Sequence, residues 1–249
     1  MENAFLVGLS RQMILHREID VVANNIANLN TSGFKGDGVL FEEFLMPGAR
    51  EGQFFGRDSR VSFVQDRSTW HDMSQGPVRQ TGNPLDVALN GSGFMVVQTP
   101  RGERYTRNGA FQVNANGELV TSEGYQVMGE AGPIILQRGD QNVTIGREGT
   151  ISVPGATRGK LQLVSFNDPQ RLQKDGISTF AAPQDMQAQP VENTTSVIQG
   201  AIEQSNVRAV VEISRMIEIT RSYTQVAGLL QQQGEMRRNA IERLADVPT

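Results

Sequence analysis

The sequence predicts an α+β protein with a long helix at each end of the chain and an all-β domain between them. Near both ends, apolar residues recur at steps of three and four, the heptad spacing of helices that pack along one face. Between about residues 78 and 166, short runs rich in Val, Ile and Phe are separated by turn signals, which is typical of an all-β domain. The two helices are therefore expected to form a coiled-coil-like terminal domain.

The first predicted element is a helix over residues 5–30. Apolar residues at steps of four, three and four form one seam along it: Leu15, Ile19, Val22 and Ile26. Gly33 follows the helix, and glycine readily adopts the left-handed conformation in which helices end.

Three asparagines, Asn24, Asn25 and Asn28, lie beside this seam, although Asn is a mediocre helix former because its amide competes for backbone groups. No charged residue occurs from residue 21 to residue 32. Two interpretations remain at this point. The amides either lie on a solvated face near a fraying helix end, or they satisfy hydrogen bonds on a packed surface and fix its register.

The middle of the chain divides into a loop or extended connection over residues 36–80 and a β-rich domain over residues 81–200. Asp86 in the β-rich domain is predicted to be a buried or turn carboxylate. The turn signals that separate the strands are Asn90–Gly91, Arg101–Gly102, Asn108–Gly109, Asn116–Gly117, Glu123–Gly124, Glu148–Gly149 and Pro154–Gly155.

The last predicted element is a helix over residues 206–244, within a terminal segment of residues 201–249. It carries two adjacent seams. Members of the first include Ile213, Met216, Tyr223 and Leu230, and members of the second include Val210, Ile213 and Ile217. A helix that pairs with one other helix needs one apolar seam, so the second seam indicates partners beyond this chain.

Composition excludes several functional classes. A formal net charge of -4 argues against nucleic-acid binding, and no apolar run approaches the ~18 residues of a membrane span. The absence of cysteine removes thiol chemistry. His16 and His71, the only histidines, have no partner at metal-site or catalytic-triad spacing, so we predict no catalytic residue, cofactor or metal.

Three stretches resemble one known family. ANNIANLNTSGFK (residues 23–35) resembles the N-terminal signature of bacterial flagellar rod and hook proteins, and the stretch that begins EQSNVRAVVEI (residues 203–226) resembles their C-terminal helix. Residues 83–134 resemble the β-domain of the rod and hook members. YTRNG and GEAGPI point to a proximal-rod subunit within the family, and NVTIGREGTISV keeps a distal-rod subunit as the alternative.

The resemblance implies a structural subunit rather than an enzyme. Its terminal helices would form the inner tube of the periplasmic basal-body rod, with residues 1–35 and 201–249 in the tube and the β-domain outside it. Its partners would be further copies, other rod subunits and the flagellar type III export apparatus, without nucleic acid or membrane insertion. The first residues lack the basic and apolar regions of a secretory signal, so we expect export without cleavage.

The resemblance and the seams together predict an assembly interface. Its expected residues are Leu15, Ile19, Val22, Asn24, Asn25, Ile26, Asn28, Gly33, Phe34, Ser205, Asn206, Val207, Val210, Ile213, Met216, Ile217 and Leu230. Phe41, Phe44 and Leu45 resemble a short element by which such subunits engage the export gate, and an amphipathic turn packed on the β-domain is the alternative.

Two other classes compete with a polymer subunit. A cell-wall hydrolase with its active site in the β-domain is disfavoured, because no carboxylate pair stands in a recognisable motif. A non-polymerising binding protein whose helices merely dimerise would be recognised by its size, since it would form a small stable dimer.

Overall fold

The computed structural model describes residues 2–45, 62–137, 139–140, 142–191 and 195–245. The chain divides into two compact units. The helical unit comprises the described parts of residues 1–26, 37–70 and 209–249, and the β unit comprises those of residues 27–36 and 71–208. The β unit thus includes short segments next to both terminal helices.

Two long helices are present, as the heptad spacing predicts. Helix α1 spans Glu2–Ala27 and helix α2 spans Ala209–Ala245. Helix α1 ends before residue 30 because Asn28 turns the chain: its carbonyl accepts from the Thr31 amide, and its side-chain oxygen accepts from the Thr31 hydroxyl at 3.0 Å. Within the described residues, neither helix combines the length and apolarity that crossing a bilayer requires.

The strands are short, as the spacing of the turn signals predicts, apart from the first two. They are β1 (Asp37–Leu45), β2 (Ser62–His71), β3 (Val78–Gln80), β4 (Val87–Asn90), β5 (Phe94–Thr99), β6 (Gly102–Thr106), β7 (Phe111–Val113), β8 (Leu119–Thr121), β9 (Gln126–Gly129), β10 (Gly132–Pro133), β11 (Thr144–Ile145), β12 (Thr150–Val153), β13 (Ala156–Lys160), β14 (Leu163–Ser165), β15 (Gln173–Lys174), β16 (Thr179–Ala181), β17 (Gln189–Pro190), β18 (Ser196–Gln199) and β19 (Ala201–Glu203).

Strands β1 and β2 pair with each other in the helical unit. These two long strands lie within the connection over residues 36–80 that the sequence predicts to be loop or extended chain. Trp70 of β2 packs against Gly38 of β1, and a Cβ atom at Gly38 would overlap the indole ring. Glycine here makes room for the large ring.

The largest sheet of the β unit runs in the order β15-β16-β6-β5-β9-β8-β7, with β10 beside β9, β14 beside β5 and β17 beside β14. Successive side chains of β5 alternate between two buried clusters: Met95 and Val97 belong to one, Phe94 and Val96 to the other. Both faces of β5 are covered, which explains its continuous apolar run.

Most of the predicted turn signals have a glycine with the positive φ that such turns require. Gly117 and Gly124 have φ of +85° and +86°, the left-handed region that glycine tolerates. At Asn108–Gly109 the glycine has a different role, because Gly109 lies so close to the Val87 carbonyl that a side chain would overlap it. The prediction for Asp86 is confirmed: it is 8% exposed, and its carboxylate accepts hydrogen bonds from two side chains of the preceding turn.

Candidate functional site

The predicted seam of α1 packs against α2 inside the helical unit. Leu15 and Val22 are buried together with Ile219 of α2, and residues of intermediate exposure surround them: Ile19, Ile26, Met216, Tyr223 and Val226. This seam is covered within the chain.

The two helices run antiparallel. Contacts of Glu18 with Arg215, of Gln12 with Tyr223 and of Gly8 with Leu230 show that α2 numbers rise as α1 numbers fall. Arg215 donates to the Glu18 carboxylate at 2.7 Å, beside the apolar seam. Leu230 lies so close to Gly8 that a methyl group there would displace it, so glycine permits the close approach.

The packed face of α2 differs from the first predicted seam. Met216, Tyr223 and Leu230 face α1, as their spacing predicts, but Ile213 is 48% exposed, and Ile219 and Val226 take part instead. Heptad spacing alone fits several overlapping seams on an apolar helix, and only the partner α1 selects one of them. Sequence analysis also missed the ion pair between Arg215 of α2 and Glu18 of α1, which lies beside this packed face.

A second apolar stripe on α2 remains exposed. Val210, Ile213 and Ile217 are 80%, 48% and 49% exposed, and they follow steps of three and four. The same face continues through Thr220, Thr224 and Gly228. We call this face, Val210 to Gly228, the outer stripe.

The three asparagines have different surroundings. Asn25 is buried, and its side-chain amide forms reciprocal bonds with the backbone of Asp37, accepting from the amide at 2.9 Å and donating to the carbonyl at 2.8 Å. It also donates to Glu212 at 3.3 Å. Asn24 is exposed and Asn28 is half-buried. One of the three thus joins α1 to β1 and α2 within the chain.

The remaining predicted interface residues belong to the β unit and lie in, or next to, two segments that we call connectors. The N-terminal connector is residues 33–36 and the C-terminal connector is residues 203–206. Gly33, Phe34 and Ser205 are buried, while Asn206 and the adjacent Val207 are half-buried.

Backbone amides of the N-terminal connector donate hydrogen bonds to the C-terminal connector. The Gly33 amide donates to the Glu203 carbonyl at 2.8 Å, and the Gly36 amide donates to the Asn206 side chain at 2.9 Å. Gly33 has φ of +67° and packs directly on the backbone of Arg107 and Asn108, so only glycine fits there.

A buried ionic cluster joins the three stretches that carry the family resemblance. Glu203 accepts from Lys35 at 2.6 Å and from Arg107 at 3.2 Å, and the three residues are 0%, 1% and 3% exposed. Burial lowers the pKa of Lys35 and of Arg107, and the carboxylate of Glu203 partly opposes this in both. Sequence analysis missed this cluster, since its members are far apart along the chain.

The proposed export element lies in β1. Residues 41–45 have strand backbone, and the side chains of Phe41, Phe44 and Leu45 lie outside the described part of the structure. Across the residues that the structure describes, no group of three or more His, Cys, Asp or Glu side chains could hold a metal ion.

Three family models match the chain in order. Residues 5–35 match the model described as "Flagella basal body rod protein", residues 88–153 match "Flagellar hook protein FlgE/F/G D1 domain", and residues 198–243 match "Flagellar basal body rod FlgEFG protein C-terminal".

Curated relatives agree over nearly the full length. The chain is 40% identical to the flagellar basal-body rod protein FlgF of Caulobacter vibrioides, over 99% of this chain and 100% of the relative. It is 36% identical to FlgF of Escherichia coli, over 90% of each chain. It is 34% identical to the rod protein FlgG of Buchnera aphidicola, over 87% of this chain and 88% of the relative.

Proposed function

Since this chain belongs to the flagellar basal-body rod protein family, we propose that it is a FlgF-type subunit that polymerises into the rod through the outer stripe of α2. The family is structural rather than enzymatic, and its members assemble with other rod and hook subunits in the basal body. The exposed stripe on α2 is the observation that supports this mode of assembly.

The outer stripe has the chemistry of a contact surface. α2 uses one face against α1, and the outer stripe lies on a different face of the same helix. Fully burying a Val or Ile side chain stabilises a contact by roughly 1.5–3 kcal/mol. Val210, Ile213 and Ile217 are 80%, 48% and 49% exposed, so a neighbouring subunit that covers them would gain the part of this free energy that belongs to their exposed surface.

Repetition of such a contact generates a rod. In this proposal the outer stripe packs against a different surface of the next subunit. Such a contact is heterologous, and a rotation that does not close gives a helical filament. In the assembled rod, we propose, the helices form a coiled-coil-like inner tube with the residue 81–200 domain outside it. The proposal includes a proximal position in the periplasmic rod, with a FlgG-type distal position as the alternative.

Several of the predicted interface residues can be assigned to one of two roles. Leu15, Ile19, Val22, Ile26 and Met216 would act indirectly, by holding α2 against α1. Val210, Ile213, Ile217 and the exposed Asn24 would contact neighbouring subunits directly.

A double substitution on the outer stripe tests the proposal. Ile213→Gln with Ile217→Gln should leave the circular dichroism of the purified chain unchanged, because both side chains are about half exposed. In a strain that lacks the native subunit, the variant should be exported but should not restore rods or swimming. The control is Ile177→Gln, at an equally exposed isoleucine of the β unit (55%), which should swim normally. Normal motility of the double variant would refute the role of the outer stripe.

We also propose that Phe41, Phe44 and Leu45 engage the export apparatus while the chain is unfolded. Phe41→Ala with Phe44→Ala should reduce the secreted fraction several-fold while the total amount in the cell stays constant. The control Leu40→Ala changes an exposed apolar side chain of the same strand. Equal secretion of the double variant and the control would remove the export role, and loss of swimming with normal secretion would assign these residues to assembly.

A further inference from the structure

We propose that the N-terminal and C-terminal connectors dock on the β unit in one cooperative step, because Lys35 and Arg107 share the carboxylate of Glu203. Each connector adjoins one terminal helix: α1 ends six residues before Gly33, and α2 begins three residues after Asn206. Cooperative docking would therefore couple the chain segment that follows α1 to the chain segment that precedes α2.

The first argument for cooperative docking is the charge balance of the buried ionic cluster. Lys35 from the N-terminal connector and Arg107 from the β unit are two buried cations, and Glu203 from the C-terminal connector is the carboxylate between them. The half-buried Asp72 is a further anion, and its influence on the pKa of Lys35 is the weakest of those acting there. Glu203 thus provides the main neutralising charge for both cations.

Partial docking is unfavourable for this reason. If the C-terminal connector left alone, Lys35 and Arg107 would remain buried near each other without the Glu203 carboxylate, and their mutual repulsion would persist. A buried charge that loses its partner is strongly destabilising, whereas the intact pair is roughly neutral. The half-docked state would lie above both the fully docked and the fully undocked states.

Neutral hydrogen bonds reinforce the coupling. The C-terminal connector supplies acceptors for the Gly33 and Gly36 amides, which belong to the N-terminal connector. The Asn206 side chain also donates to the Asp72 carbonyl at 2.7 Å, and Asp72 in turn donates its amide to the Gly36 carbonyl at 2.8 Å. Departure of either connector would leave backbone groups of the other without partners.

Two amides report the two connectors separately. The Asp72 amide binds the Gly36 carbonyl in the N-terminal connector, at 2.8 Å. The Gln204 amide of the C-terminal connector binds the Pro77 carbonyl, at 2.9 Å. Amide hydrogen exchange of the full-length chain, followed by NMR, would measure both, with the buried strand residues Val96 and Val127 as indicators that the β unit remains folded.

The principal variant is Glu203→Gln, which keeps the shape and removes the charge. We expect exchange at Asp72 and Gln204 to accelerate by a similar factor of about tenfold or more, with Val96 and Val127 unchanged. Adding Lys35→Met to Glu203→Gln should slow exchange again at both amides, because it removes one of the two unneutralised cations. Damage to packing alone would instead make the double variant exchange faster than the single one.

Asp185→Asn is the matched control, because it neutralises a carboxylate of the β unit that pairs with Arg171 at the surface. It should leave both amides unchanged. An acceleration confined to one amide, no acceleration at either, or a double variant faster than Glu203→Gln would each overturn the proposal.

If Glu203→Gln also accelerates Val96 and Val127, Gly33→Ala replaces it, because this change displaces the N-terminal connector without touching the charges. Its control is Gly124→Ala, which has similar backbone strain and open space around the added methyl group. Joint acceleration of Asp72 and Gln204 in Gly33→Ala alone is the expected result. A response at one amide only, or at neither, would overturn the proposal.

Discussion

The side-chain amide of Asn25 makes the hydrogen bonds that a backbone peptide group would make. Its carbonyl and amide pair with the amide and carbonyl of Asp37, as a neighbouring strand would, at the first residue of β1. A helix surface cannot offer backbone groups to a strand, since they are used inside the helix. Asparagine supplies the same donor and acceptor from a side chain, which explains why a mediocre helix former stands at this position.

Replacing this amide should destabilise the helical unit. Asn25→Ala leaves the amide and carbonyl of Asp37 without their side-chain partner, at a cost of about 1–3 kcal/mol. We expect the denaturation midpoint of the helical circular dichroism signal to fall accordingly. Asn30→Ala, at an exposed asparagine of the same sequence stretch, should change the free energy of unfolding by less than about 0.5 kcal/mol and leave the midpoint nearly unchanged. Equal midpoints for the two variants would contradict this role of Asn25.

The sequence predicts contacts of a side chain with residues nearby in the chain, but it does not predict contacts between residues far apart in the chain. The environment of Asp86 follows from its own turn, because its partners Thr81 and Asn83 lie within five residues. Lys35 and Glu203 are separated by 168 positions, and nothing in the local pattern distinguishes them from solvated charges. Only the fold brings them together.

At the scale of elements, helix α2 combines a covered face with the exposed outer stripe. Gly228 lies in the outer stripe, has no neighbouring atom near the position of a Cβ, and has helical backbone. Glycine within a helix is less stable than alanine by about 0.8–1.0 kcal/mol. The chain thus keeps a small residue at a site where a larger one would stabilise the free helix.

Gly228→Ala should therefore raise the stability of α2 in the isolated chain by about 1 kcal/mol, as seen in thermal melting of the helical signal. Gly155→Ala also adds a methyl group in open space, but at φ of +91°, and should destabilise the β unit. Stabilisation by both substitutions, or by neither, would show that backbone conformation does not decide whether a Gly→Ala substitution stabilises or destabilises the chain.

Sequence predicts elements well where the period is long and uninterrupted. Both helices fall within a few residues of their predicted bounds, because many turns of apolar spacing support each one. Strand β1 escapes prediction because Phe41-Glu42-Glu43-Phe44 lacks the alternation of a half-buried strand, and its partner β2 begins 17 residues after it ends.

At the scale of the whole molecule, the two units differ in the size of their cores. Among the residues whose side chains the structure describes, the buried cluster of the helical unit contains Leu15, Val22 and Ile219, whereas the β unit contains buried clusters of thirteen and seven residues. Small cores open locally at low free energy, so stability should be distributed unevenly along the chain.

Hydrogen exchange of the isolated chain should reveal this difference. We expect amides of α1 and α2 to exchange at least about a hundredfold faster than those of β5, because helix opening disrupts few buried contacts. Assembly into rods should slow helix exchange selectively, as the outer stripe becomes covered. Uniform protection of helices and strands in the dilute chain would contradict both expectations.

The order helix, β-domain, helix could be predicted in full, since each part has its own period. The assignment of segments to compact units could not. Residues 27–36 adjoin α1 in sequence but belong to the β unit, because Phe34 and Lys35 are buried there. Burial of a polar segment such as this depends on partners that only the folded chain provides.

The packing of Trp70 on Gly38 gives the molecule an intrinsic fluorophore at one defined contact. Because the chain contains a single tryptophan, all of its indole emission originates in β2, beside β1. Separation of the two strands would hydrate the ring and shift its spectrum towards longer wavelengths. Refolding of the purified chain can thus be followed in real time by light, without attaching a dye.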